Sequence, residues 1–250
     1  MNFEGKSVAI TGVSSGLGFT LEAEFYGVGA TMFGCDINDE TVQRNIESIG
    51  ATYVHADVSK EVEIESLIRG VVRNTGKIDV IINDAAISVN EELVNTNAEY
   101  LDRILAVNLK GPFYGTKHAV RAMIETGGGS IINIASILGI VADGMLAAYR
   151  TVRGGVLGLT RAAAVQYSDR GFRVNEICPG DIDTPLVREY FDLFDDPIEA
   201  RAKIEMEYPM NRIAAPKEIA QTALFVASSL SSFITGQSIV VDGGLTVTCY

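Results

Sequence analysis

The sequence of 250 residues contains no tryptophan, only two histidines and only three cysteines. His55 and His118 have no cysteine or carboxylate cluster at ligand spacing beside them, so the sequence predicts no metal site. Each is expected to be a structural histidine, satisfied inside a core strand or a helix. Cys35, Cys178 and Cys249 are odd in number and far apart. This spacing gives no disulfide framework and is typical of a protein from the reducing cytoplasm.

Basic residues and long apolar runs are scarce as well. The chain has 20 Lys and Arg against 32 Asp and Glu, a formal net charge of -12. Nucleic acids and anionic membranes bind basic surfaces, so neither is expected as a partner. No apolar run approaches the roughly 20 residues that span a bilayer, and the start "MNFEGKSVAITG" enters a strand without a cleavable apolar segment. We expect a cytoplasmic protein that acts on a small molecule.

Short apolar runs alternate with longer amphipathic stretches along the whole chain. The runs predict strands at 7–11, 30–35, 52–56, 79–83, 130–135, 172–178 and 238–242. The stretches predict helices at 16–27, 61–75, 97–125, 149–169 and 216–229. This alternation predicts an α/β fold, a Rossmann-type doubly wound domain with a seven-stranded parallel sheet and helices on both faces. No repeat, linker or low-complexity segment divides residues 1–250, so a single domain is expected.

The first predicted strand is followed at once by the glycine-rich stretch "TGVSSGLG", which opens the first predicted helix. Gly12, Gly16 and Gly18 lack the side chains that would block a tight turn, an approach of the main chain to phosphate, or contact between helix and strand. The free N–H groups and the positive dipole at the helix start suit a pyrophosphate. A purely structural turn between strand and helix is the alternative at this point.

Asp36 ends the second predicted strand, 18 residues after the last glycine of that stretch. A carboxylate there accepts hydrogen bonds from both hydroxyls of an adenosine ribose and repels a 2′-phosphate. Ile37 follows it and no arginine is near, so the pattern favours NAD over NADP, with a surface aspartate that caps a turn as the alternative. Asp57 and Val58 end the third strand beside the expected adenine site, and Asn83 ends the fourth strand in the expected cofactor groove.

A tyrosine and an arginine lie four residues apart in "AAYRTVRGG". On a helix this spacing puts Tyr149 and Arg153 on one face, about one turn apart. A phenol is a poor base at neutral pH, and a nearby cation favours its phenolate form. The pair therefore predicts a site for general acid–base catalysis.

Over almost its whole length, the chain resembles the short-chain dehydrogenase/reductase family. The resemblance is carried by "TGVSSGLG", "DV" at 57–58, "NDAA" at 83–86, "VNLKG" at 107–111, "IINIAS" at 131–136, "YRTVR" at 149–153, "CPGDIDT" at 178–184 and "VDGG" at 241–244. It implies hydride transfer between a nicotinamide cofactor, here NAD, and a secondary alcohol or ketone. It also implies a homotetramer.

The same resemblance implies a role for each matching position. Tyr149 matches the general acid/base, and Ser136 matches the serine that hydrogen-bonds the substrate oxygen. Asn108 matches the helix asparagine that holds a water in a proton relay, and Arg153 stands where a lysine binds the nicotinamide ribose. The cofactor-binding positions are Gly12, Ser14, Ser15, Gly16, Leu17, Gly18, Asp36, Ile37, Asp57, Val58, Asn83, Ala85, Ala86, Tyr149, Arg153, Pro179, Gly180, Ile182 and Thr184. A substrate lid is implied at 185–212. The candidates for an apolar substrate pocket are Leu138, Met145, Leu146, Leu186 and Tyr190.

Four positions depart from the pattern that the resemblance implies. Arg153 replaces a lysine, which keeps the positive charge but gives a group that does not readily release a proton. Asp84 stands where the family usually has asparagine, and it adds a negative charge near the groove. Ala86 replaces a glycine that many members have. Glu176 puts a charge in a strand that is predicted to be buried, and the sequence offers no account of it.

Three functions are open on this evidence. The first is an NAD-dependent oxidoreductase that interconverts a secondary alcohol and a ketone of small to medium size and apolar character. The second is a protein that binds NAD but has impaired redox turnover because of Arg153 and Asp84. The third is a redox-neutral lyase or epimerase on the same fold. A reductase of acyl chains on a carrier protein is a subcase of the first, and the acidic net charge and Asp36 both argue against it.

Overall fold

The seven predicted strands form one sheet in the computed structural model, which describes residues 1–42, 49–88, 91–142 and 144–248. The strands are β1 Ser7–Thr11, β2 Thr31–Asp36, β3 Thr52–His55, β4 Val80–Asn83, β5 Gly129–Ile134, β6 Phe172–Pro179 and β7 Ser238–Val241. They lie in the order β3-β2-β1-β4-β5-β6-β7, and every pairing is parallel. The predicted fold class is confirmed, and each strand end falls within about one residue of its predicted position.

Helices cover both faces of the sheet. They are α1 Gly16–Gly27, α2 Glu61–Thr75, α3 Ala98–Leu105, α4 Gly111–Ile124, α5 Ala147–Tyr167, α6 Pro185–Phe191, α7 Pro197–Glu207 and α8 Pro216–Ala227. Helices α1 and α8 pack on one face, whereas α2, α4 and α5 pack on the other. Among the helices of the described residues, none combines the length and the apolar character needed to cross a lipid bilayer.

The central strands are apolar on both faces because both faces are covered. In β1, Val8 and Ile10 belong to the core under α1 and α8, whereas Ala9 between them belongs to the core under α2 and α4. Successive side chains of a strand point to opposite faces, so in a strand covered on both sides every side chain faces a core and most are apolar. This arrangement explains why the strands of the sequence are continuous apolar runs.

The stretch 97–125, predicted as one helix, is interrupted. Helix α3 is followed by a π-helical turn, Ala106–Lys110, before α4 begins at Gly111. Pro112 has no N–H group, so it cannot donate the usual hydrogen bond to the carbonyl of Asn108 four residues earlier. Single π-turns inside helices occur frequently at functional sites. Because the three segments follow one another without a gap, the predicted helix is confirmed apart from this π-helical turn.

The two histidines lie in different surroundings. His118 is buried in α4 with its Nε2 atom 3.0 Å from Oε1 of Glu61, as expected for a structural histidine. His55 lies on β3 with 54% of its side chain exposed and its Nδ1 atom 2.8 Å from Oδ1 of Asp39. It is therefore not the core histidine that its apolar strand predicted. Strand β3 is at the edge of the sheet and has a neighbour on one side only, which leaves its side chains accessible.

Glu176, the unexplained charge of β6, is fully buried and has polar neighbours. The hydroxyl of Ser238, its cross-strand partner in β7, donates a hydrogen bond to one carboxyl oxygen of Glu176. Arg161 of α5 in turn donates to the Ser238 hydroxyl at 3.2 Å. Burial raises the pKa of Glu176, which favours the neutral acid. Among the described residues the other carboxyl oxygen has no partner, so the burial of Glu176 is tolerated mainly because the neutral acid carries no charge.

A second buried carboxyl lies in α1. Glu22 is 0% exposed, and neither of its carboxyl oxygens has a hydrogen-bond partner among the described residues. The carboxyl occupies the space beside Gly34 of β2, where an added Cβ would lie 2.5 Å from Oε1 of Glu22. Burial raises the pKa of Glu22 from 4.5 to about 7. Ionisation of this side chain near neutral pH therefore opposes the packing of α1 on β2.

Replacing Glu22 with glutamine is expected to stabilise the protein at alkaline pH. Because the folded-state pKa is raised, the stability that the neutral acid contributes is fully present below pH 4.5 and is lost as the pH rises through about 7. In urea unfolding, Glu22→Gln should exceed the parent by roughly 1–3 kcal/mol at pH 8 and nearly equal it at pH 5. Glu207→Gln, an exposed acid of α7, is the matched control. An equal gain at both pH values would contradict the titration of Glu22.

Candidate active site and cofactor cleft

The predicted functional residues collect at one edge of the sheet. Parallel strands all end at the same edge, and the direction of winding reverses between β1 and β4. Ligands of doubly wound sheets bind in the crevice at such a reversal, outside the carboxyl ends of the strands. Asp36 ends β2, Asp84 follows β4, Ser136 follows β5 and Gly180 follows β6. The fold therefore brings segments that are distant in sequence to one crevice.

The glycine turn, residues 11–18, connects β1 to α1. Gly12 and Gly16 have φ values of +82° and +57°, in the left-handed region that favours glycine. An added Cβ at Gly12 would lie 2.8 Å from Cα of Ala85, and one at Gly18 would overlap the carbonyl oxygen of Gly12. Main chain packs against main chain throughout the turn. Side chains at Gly12 and Gly18 would collide with these main-chain atoms and open the turn.

The start of α1 suits an anion. Ser15 precedes the helix in an extended conformation, and its side chain caps none of the first N–H groups. Uncapped N–H groups at the positive end of a helix dipole favour phosphate. The side chain of Leu17 is buried in the core, so Leu17 offers only its main chain to the crevice. Together with the glycine turn, this helix start fits the pyrophosphate of a dinucleotide.

The carboxylate of Asp36 is held in a fixed orientation at the end of β2. Its Oδ2 atom accepts a hydrogen bond from the N–H of Ser14 in the glycine turn at 2.9 Å. Its Oδ1 atom accepts from the N–H groups of Ile37 at 2.8 Å and Asn38 at 3.0 Å. The exposed side chain of Ile37 stands next to this carboxylate. The carboxylate is thus fixed beside the glycine turn, at the position where the sequence predicts contact with an adenosine ribose.

The other residues predicted to flank the cofactor have mainly local roles. Asp57 accepts hydrogen bonds from the N–H and the hydroxyl of Ser59 at 2.9 and 2.7 Å, which closes the turn before α2. Val58 is buried, and an added Cβ at Gly111 would lie 3.1 Å from it. Asn83, predicted to line the groove, is also buried.

The side chain of Asn83 lies inside the fold and not in the groove. Its amide nitrogen donates to Oδ1 of Asn133 at 2.8 Å, and its Oδ1 atom occupies the space where a side chain at Gly115 of α4 would lie. Asn133 in turn donates to the hydroxyl of Thr160 at 2.9 Å. Because side chains alternate along a strand, Asn83 points toward α4 while Asp84 is left at the tip. The expectation for the Asn83 side chain is therefore corrected.

Ser136 follows β5 and is buried beside the start of α5. Its Oγ atom accepts a hydrogen bond from the N–H of Leu138 at 3.1 Å, which leaves its own hydrogen to be donated elsewhere. Gly139 lets this short turn approach α5, since an added Cβ would lie 3.0 Å from the main-chain carbon of Arg153. The turn therefore brings Ser136 to the first turns of α5, where Tyr149 lies.

The guanidinium of Arg153 lies against the ring of Tyr149. Its Cζ atom is 4.8 Å from the ring centroid, the distance of a cation–π contact. Its Nη1 atom donates to the carbonyl oxygen of Ile134, at the end of β5, at 2.9 Å. Arg153 is only 3% exposed, and in the described part of the chain its Nε atom has no partner. The predicted pair of phenol and cation is thus in contact.

Asp84 adds a titratable charge at the tip of β4. Its Oδ2 atom would lie 3.0 Å from a Cβ at Gly18, so the carboxyl is directly beneath the glycine turn. Burial raises the pKa of Asp84 to about 7; the positive charge of Arg153 opposes this shift, and the negative charge of Asp36 adds to it. The charge of the crevice therefore changes close to neutral pH.

Asn108 lies in the π-turn and is fully buried. Its side-chain amide is committed to Ile87, accepting from that N–H at 2.9 Å and donating to that carbonyl at 2.8 Å. This pair of bonds fixes the segment after β4. The side chain is thus occupied, and the group that Asn108 can offer a water is its main-chain carbonyl, which lost its usual donor at Pro112.

Two features near Tyr149 were missed in the sequence. Leu146, already a candidate for the substrate pocket, has φ of +62°, a left-handed conformation that is uncommon for a bulky residue, directly before α5 begins. Arg150 donates to the carbonyl oxygens of Met145 at 2.8 Å and Val141 at 2.7 Å, and so ties the preceding loop to the helix. No local sequence pattern signals either feature, because both depend on how the loop meets the helix.

The five candidates for the substrate pocket fall into two groups. Three of them lie between Ser136 and Tyr149, in the connection from β5 to α5, and they are Leu138, Met145 and Leu146. The other two lie on α6, in the predicted lid, and they are Leu186 and Tyr190. The ring of Tyr190 contacts Phe191 and Phe194 with centroid distances of 5.8 and 5.3 Å.

The loop after β6, residues 179–184, closes the far side of the crevice. Gly180 donates from its N–H to the carbonyl oxygen of Val241 at 3.1 Å. At the other end of the loop, Thr184 faces the glycine turn, since an added Cβ at Gly16 would lie 3.3 Å from its side chain. This contact places the positions predicted to bind nicotinamide next to those predicted to bind phosphate.

The comparison with known proteins agrees with this geometry. The model of the family described as enoyl-(acyl carrier protein) reductase matches residues 12–246. An uncharacterized oxidoreductase of Thermotoga maritima is 36% identical, over 98% of this chain and 99% of that protein. The chain belongs to the short-chain dehydrogenase/reductase family.

Other members of the family extend the likeness to the whole chain. The mitochondrial borneol dehydrogenase of Lavandula x intermedia is 36% identical, over 98% of this chain and 92% of that protein. The crystal structure of levodione reductase matches with a TM-score of 0.94 at 29% identity and covers 100% of both chains. The resemblance stated from the motifs is confirmed. As a member of this family the protein is an oxidoreductase that uses a nicotinamide cofactor, and its relatives are dehydrogenases of small molecules.

Gly18→Ala is expected to abolish dinucleotide binding and to destabilise the fold, because the new Cβ overlaps the carbonyl oxygen of Gly12. Gly70→Ala is the matched control: Gly70 lies in α2 with open space around it, so alanine should stabilise that helix by up to about 1 kcal/mol. Calorimetric titration with dinucleotide and thermal unfolding measure the two effects. Normal binding by Gly18→Ala would show that the turn is looser than the contacts indicate.

Proposed function

We propose that the protein is an NAD-dependent oxidoreductase that interconverts a secondary alcohol and a ketone, with Tyr149 as the general acid/base. The observation that carries the proposal is the guanidinium of Arg153, buried and held 4.8 Å from the centroid of the Tyr149 ring. This contact fixes a positive charge against the ring of Tyr149, the residue that we propose exchanges a proton with the alcohol. Ser136 lies on the turn packed against the same helix.

The proton moves between the substrate oxygen and Tyr149. In oxidation, the O–H bond of the alcohol breaks and its proton passes to the phenolate oxygen; in reduction, the phenol returns the proton to the same oxygen. Ser136 donates its hydroxyl hydrogen to the substrate oxygen and holds that oxygen beside the phenol. The bound dinucleotide supplies the hydride acceptor for oxidation and the hydride donor for reduction. The residues of the chain thus orient the substrate and move its proton.

Arg153 supplies charge without carrying the proton onward, because a guanidinium stays protonated in proteins. We assign its guanidinium as a donor to the nicotinamide ribose, the role that the family resemblance implies for position 153. The proton of Tyr149 therefore needs another route to solvent. We assign this route to a water held by the main-chain carbonyl of Asn108, since the side-chain amide of Asn108 is committed to Ile87.

The preference for NAD rests on Asp36. Three main-chain N–H groups orient its carboxylate beside the glycine turn. A second carboxylate, that of Asp39, lies just beyond it and accepts a hydrogen bond from the hydroxyl of Tyr53 at 2.5 Å. Two negative charges at this end of the crevice favour a ribose with free hydroxyls over one with a 2′-phosphate.

The substrate is proposed to be an apolar alcohol or ketone of small to medium size. Support comes from the apolar side chains of the candidate pocket and from two relatives that are named for borneol and for levodione. The matching family model is described by a reductase of acyl carrier protein substrates, but the net charge of -12 disfavours docking of an acidic carrier. A homotetrameric assembly, a cytoplasmic location and a lid at 185–212 remain predictions.

One observation favours a second candidate, a protein that binds NAD without redox turnover. Arg153 is fixed by Ile134 and by the Tyr149 ring, and it cannot pass on a proton as a lysine amine can. If no water route replaces that relay, the oxygen of Tyr149 does not regain the protonation state that the next turnover requires. The two candidates differ in turnover and agree on cofactor binding.

Tyr149→Phe is expected to lower kcat by roughly 10²–10⁴-fold, the usual contribution of general acid–base catalysis, while NAD still binds because the ring is kept. The assay is the formation of reduced cofactor from NAD, and separately from NADP, with a panel of linear, cyclic and aromatic secondary alcohols. Tyr26→Phe, an exposed tyrosine at the end of α1, is the control. Full activity of Tyr149→Phe would remove Tyr149 from the mechanism, and faster turnover with NADP would refute the role of Asp36.

Arg153→Lys separates the two candidate functions. If the parent protein turns over, arginine is a working substitute and the lysine variant should differ by no more than about tenfold. If only the lysine variant turns over, arginine blocks the reaction and the parent protein is a silent NAD binder. Calorimetry with NAD on both proteins shows that each is folded and loaded. Binding by both without turnover by either would direct attention to a redox-neutral lyase or epimerase reaction, assayed by product analysis.

A further inference from the structure

We propose that Tyr208 and Asp181 are positioning residues that join the lid to the cofactor loop, so that the loop is ordered for the dinucleotide only while the lid remains docked on it. Here the lid is the segment 185–212, which contains α6 and α7, and the cofactor loop is the segment 179–184. The inference rests on the proposed function in one respect: the cofactor loop is taken to contact the nicotinamide end of the dinucleotide.

The join consists of two hydrogen bonds between the same two residues. Tyr208 directly follows α7, and its hydroxyl donates to Oδ2 of Asp181 at 2.7 Å. The same hydroxyl oxygen accepts a hydrogen bond from the N–H of Asp181 at 2.7 Å. One phenol therefore fixes both the side chain and the main chain of a residue in the cofactor loop. Tyr208 is 2% exposed, so water does not compete for these bonds.

Gly180 provides the space for this phenol. An added Cβ at Gly180 would lie 3.0 Å from both Cε1 and the hydroxyl oxygen of Tyr208. The tyrosine ring thus rests directly on the main chain of the cofactor loop. A side chain at position 180 would push the ring away and lengthen both hydrogen bonds.

The chain that leaves the lid adds a second, main-chain connection. Ala214 forms a parallel bridge with Ile182 of the cofactor loop. The N–H of Asp183 donates to the carbonyl oxygen of Ala214 at 2.8 Å, and the N–H of Ala214 donates to the carbonyl oxygen of Asp181 at 2.9 Å. The loop is therefore held from one side by the end of the lid segment, over the three residues 181–183.

The lid helices make a third connection through ion pairs. Asp183 accepts from Nε of Arg188 in α6 at 2.8 Å and from Nη1 of Arg201 in α7 at 3.3 Å. The Arg188 side chain is largely exposed, and exposed ion pairs contribute little to stability. The buried phenol of Tyr208 is therefore the contact on which the join mainly depends.

Tyr208 also belongs to the apolar core of the lid. Its ring packs with Phe191 of α6 and with Ile213, and this cluster is separate from the cores on the two faces of the sheet. One side chain thus holds the lid together by its ring and holds the cofactor loop by its hydroxyl. If α6 and α7 separate from this cluster, the ring moves and the two bonds to Asp181 break. The far end of the cofactor loop contacts the glycine turn through Thr184 and Gly16, so the effect reaches the dinucleotide site.

The test removes the hydroxyl and keeps the ring. Tyr208→Phe is expected to weaken NAD binding roughly tenfold in calorimetric titration, because the partly buried carboxylate and the N–H group of Asp181 lose their partner. Independently of any ligand, amide-resolved hydrogen exchange of the protein without cofactor should show faster exchange of the Asp181 N–H. The fold-increase in the KM for NAD should exceed any fold-decrease in kcat. Tyr167→Phe, a tyrosine at the end of α5 with a ring contact to Phe172, is the control and should behave as the parent.

Further variants distinguish the join from general destabilisation. Asp181→Asn keeps an acceptor for the phenol and should retain most of the affinity, whereas Asp181→Ala should resemble Tyr208→Phe. The double variant Tyr208→Phe with Asp181→Ala should lose no more affinity than either single variant, as expected when both changes break one contact. Additive losses would overturn the inference. So would unchanged exchange of the Asp181 N–H in Tyr208→Phe, even if that variant unfolds at a lower temperature.

Failure of the proposed function gives a different pattern from failure of this inference. If the parent protein does not bind NAD, the proposed function is wrong, yet the exchange experiment still reports whether Tyr208 orders the cofactor loop. If the parent protein binds and reduces NAD while Tyr208→Phe leaves affinity and exchange unchanged, the proposed function stands and the join between lid and loop is rejected.

Discussion

The contact between the main chains of Gly12 and Gly18 is the constraint on which the rest of the site depends. It closes the turn between β1 and α1 so tightly that a side chain at either position would occupy space already filled by main chain. The same turn presents the N–H of Ser14 to Asp36, and the hydroxyl of Thr11 accepts from Asp84 and Ala85 at the tip of β4. The ends of three neighbouring strands are thereby held in register around the crevice. Every other functional group is placed relative to this frame by the sheet itself.

The features that could be predicted from the sequence are those that depend on patterns of neighbouring residues. Continuous apolar runs located the strands, and the glycine turn, Tyr149 and Arg153 located the crevice. The direction in which Asn83 points was not foreseen, because it depends on Gly115 of another element leaving room for its amide. The π-helical turn at Asn108 could have been predicted, since Pro112 stands four residues later.

Other features could not be predicted because they arise between distant segments. Glu22 occupies a position of α1 that faces β2, and only the fold shows that Gly34 makes room for its carboxyl. The bonds between Tyr208 and Asp181 join residues 27 positions apart that share no local pattern. Two buried acids also share one physical property: desolvation raises the pKa of Glu22 and of Glu176.

Helix α5 connects two parts of the molecule that lie far apart in the sheet. It carries Tyr149 in its first turn, and Arg161, 12 residues later, donates a hydrogen bond to Ser238 on the edge strand β7. A helix rises about 1.5 Å per residue, so these two points are separated by roughly 18 Å along a stiff axis. The proposed acid/base Tyr149 and the contact with β7 therefore lie on one stiff helix. In this way β7, a strand at the edge of the sheet, helps to fix the position of the helix that carries Tyr149.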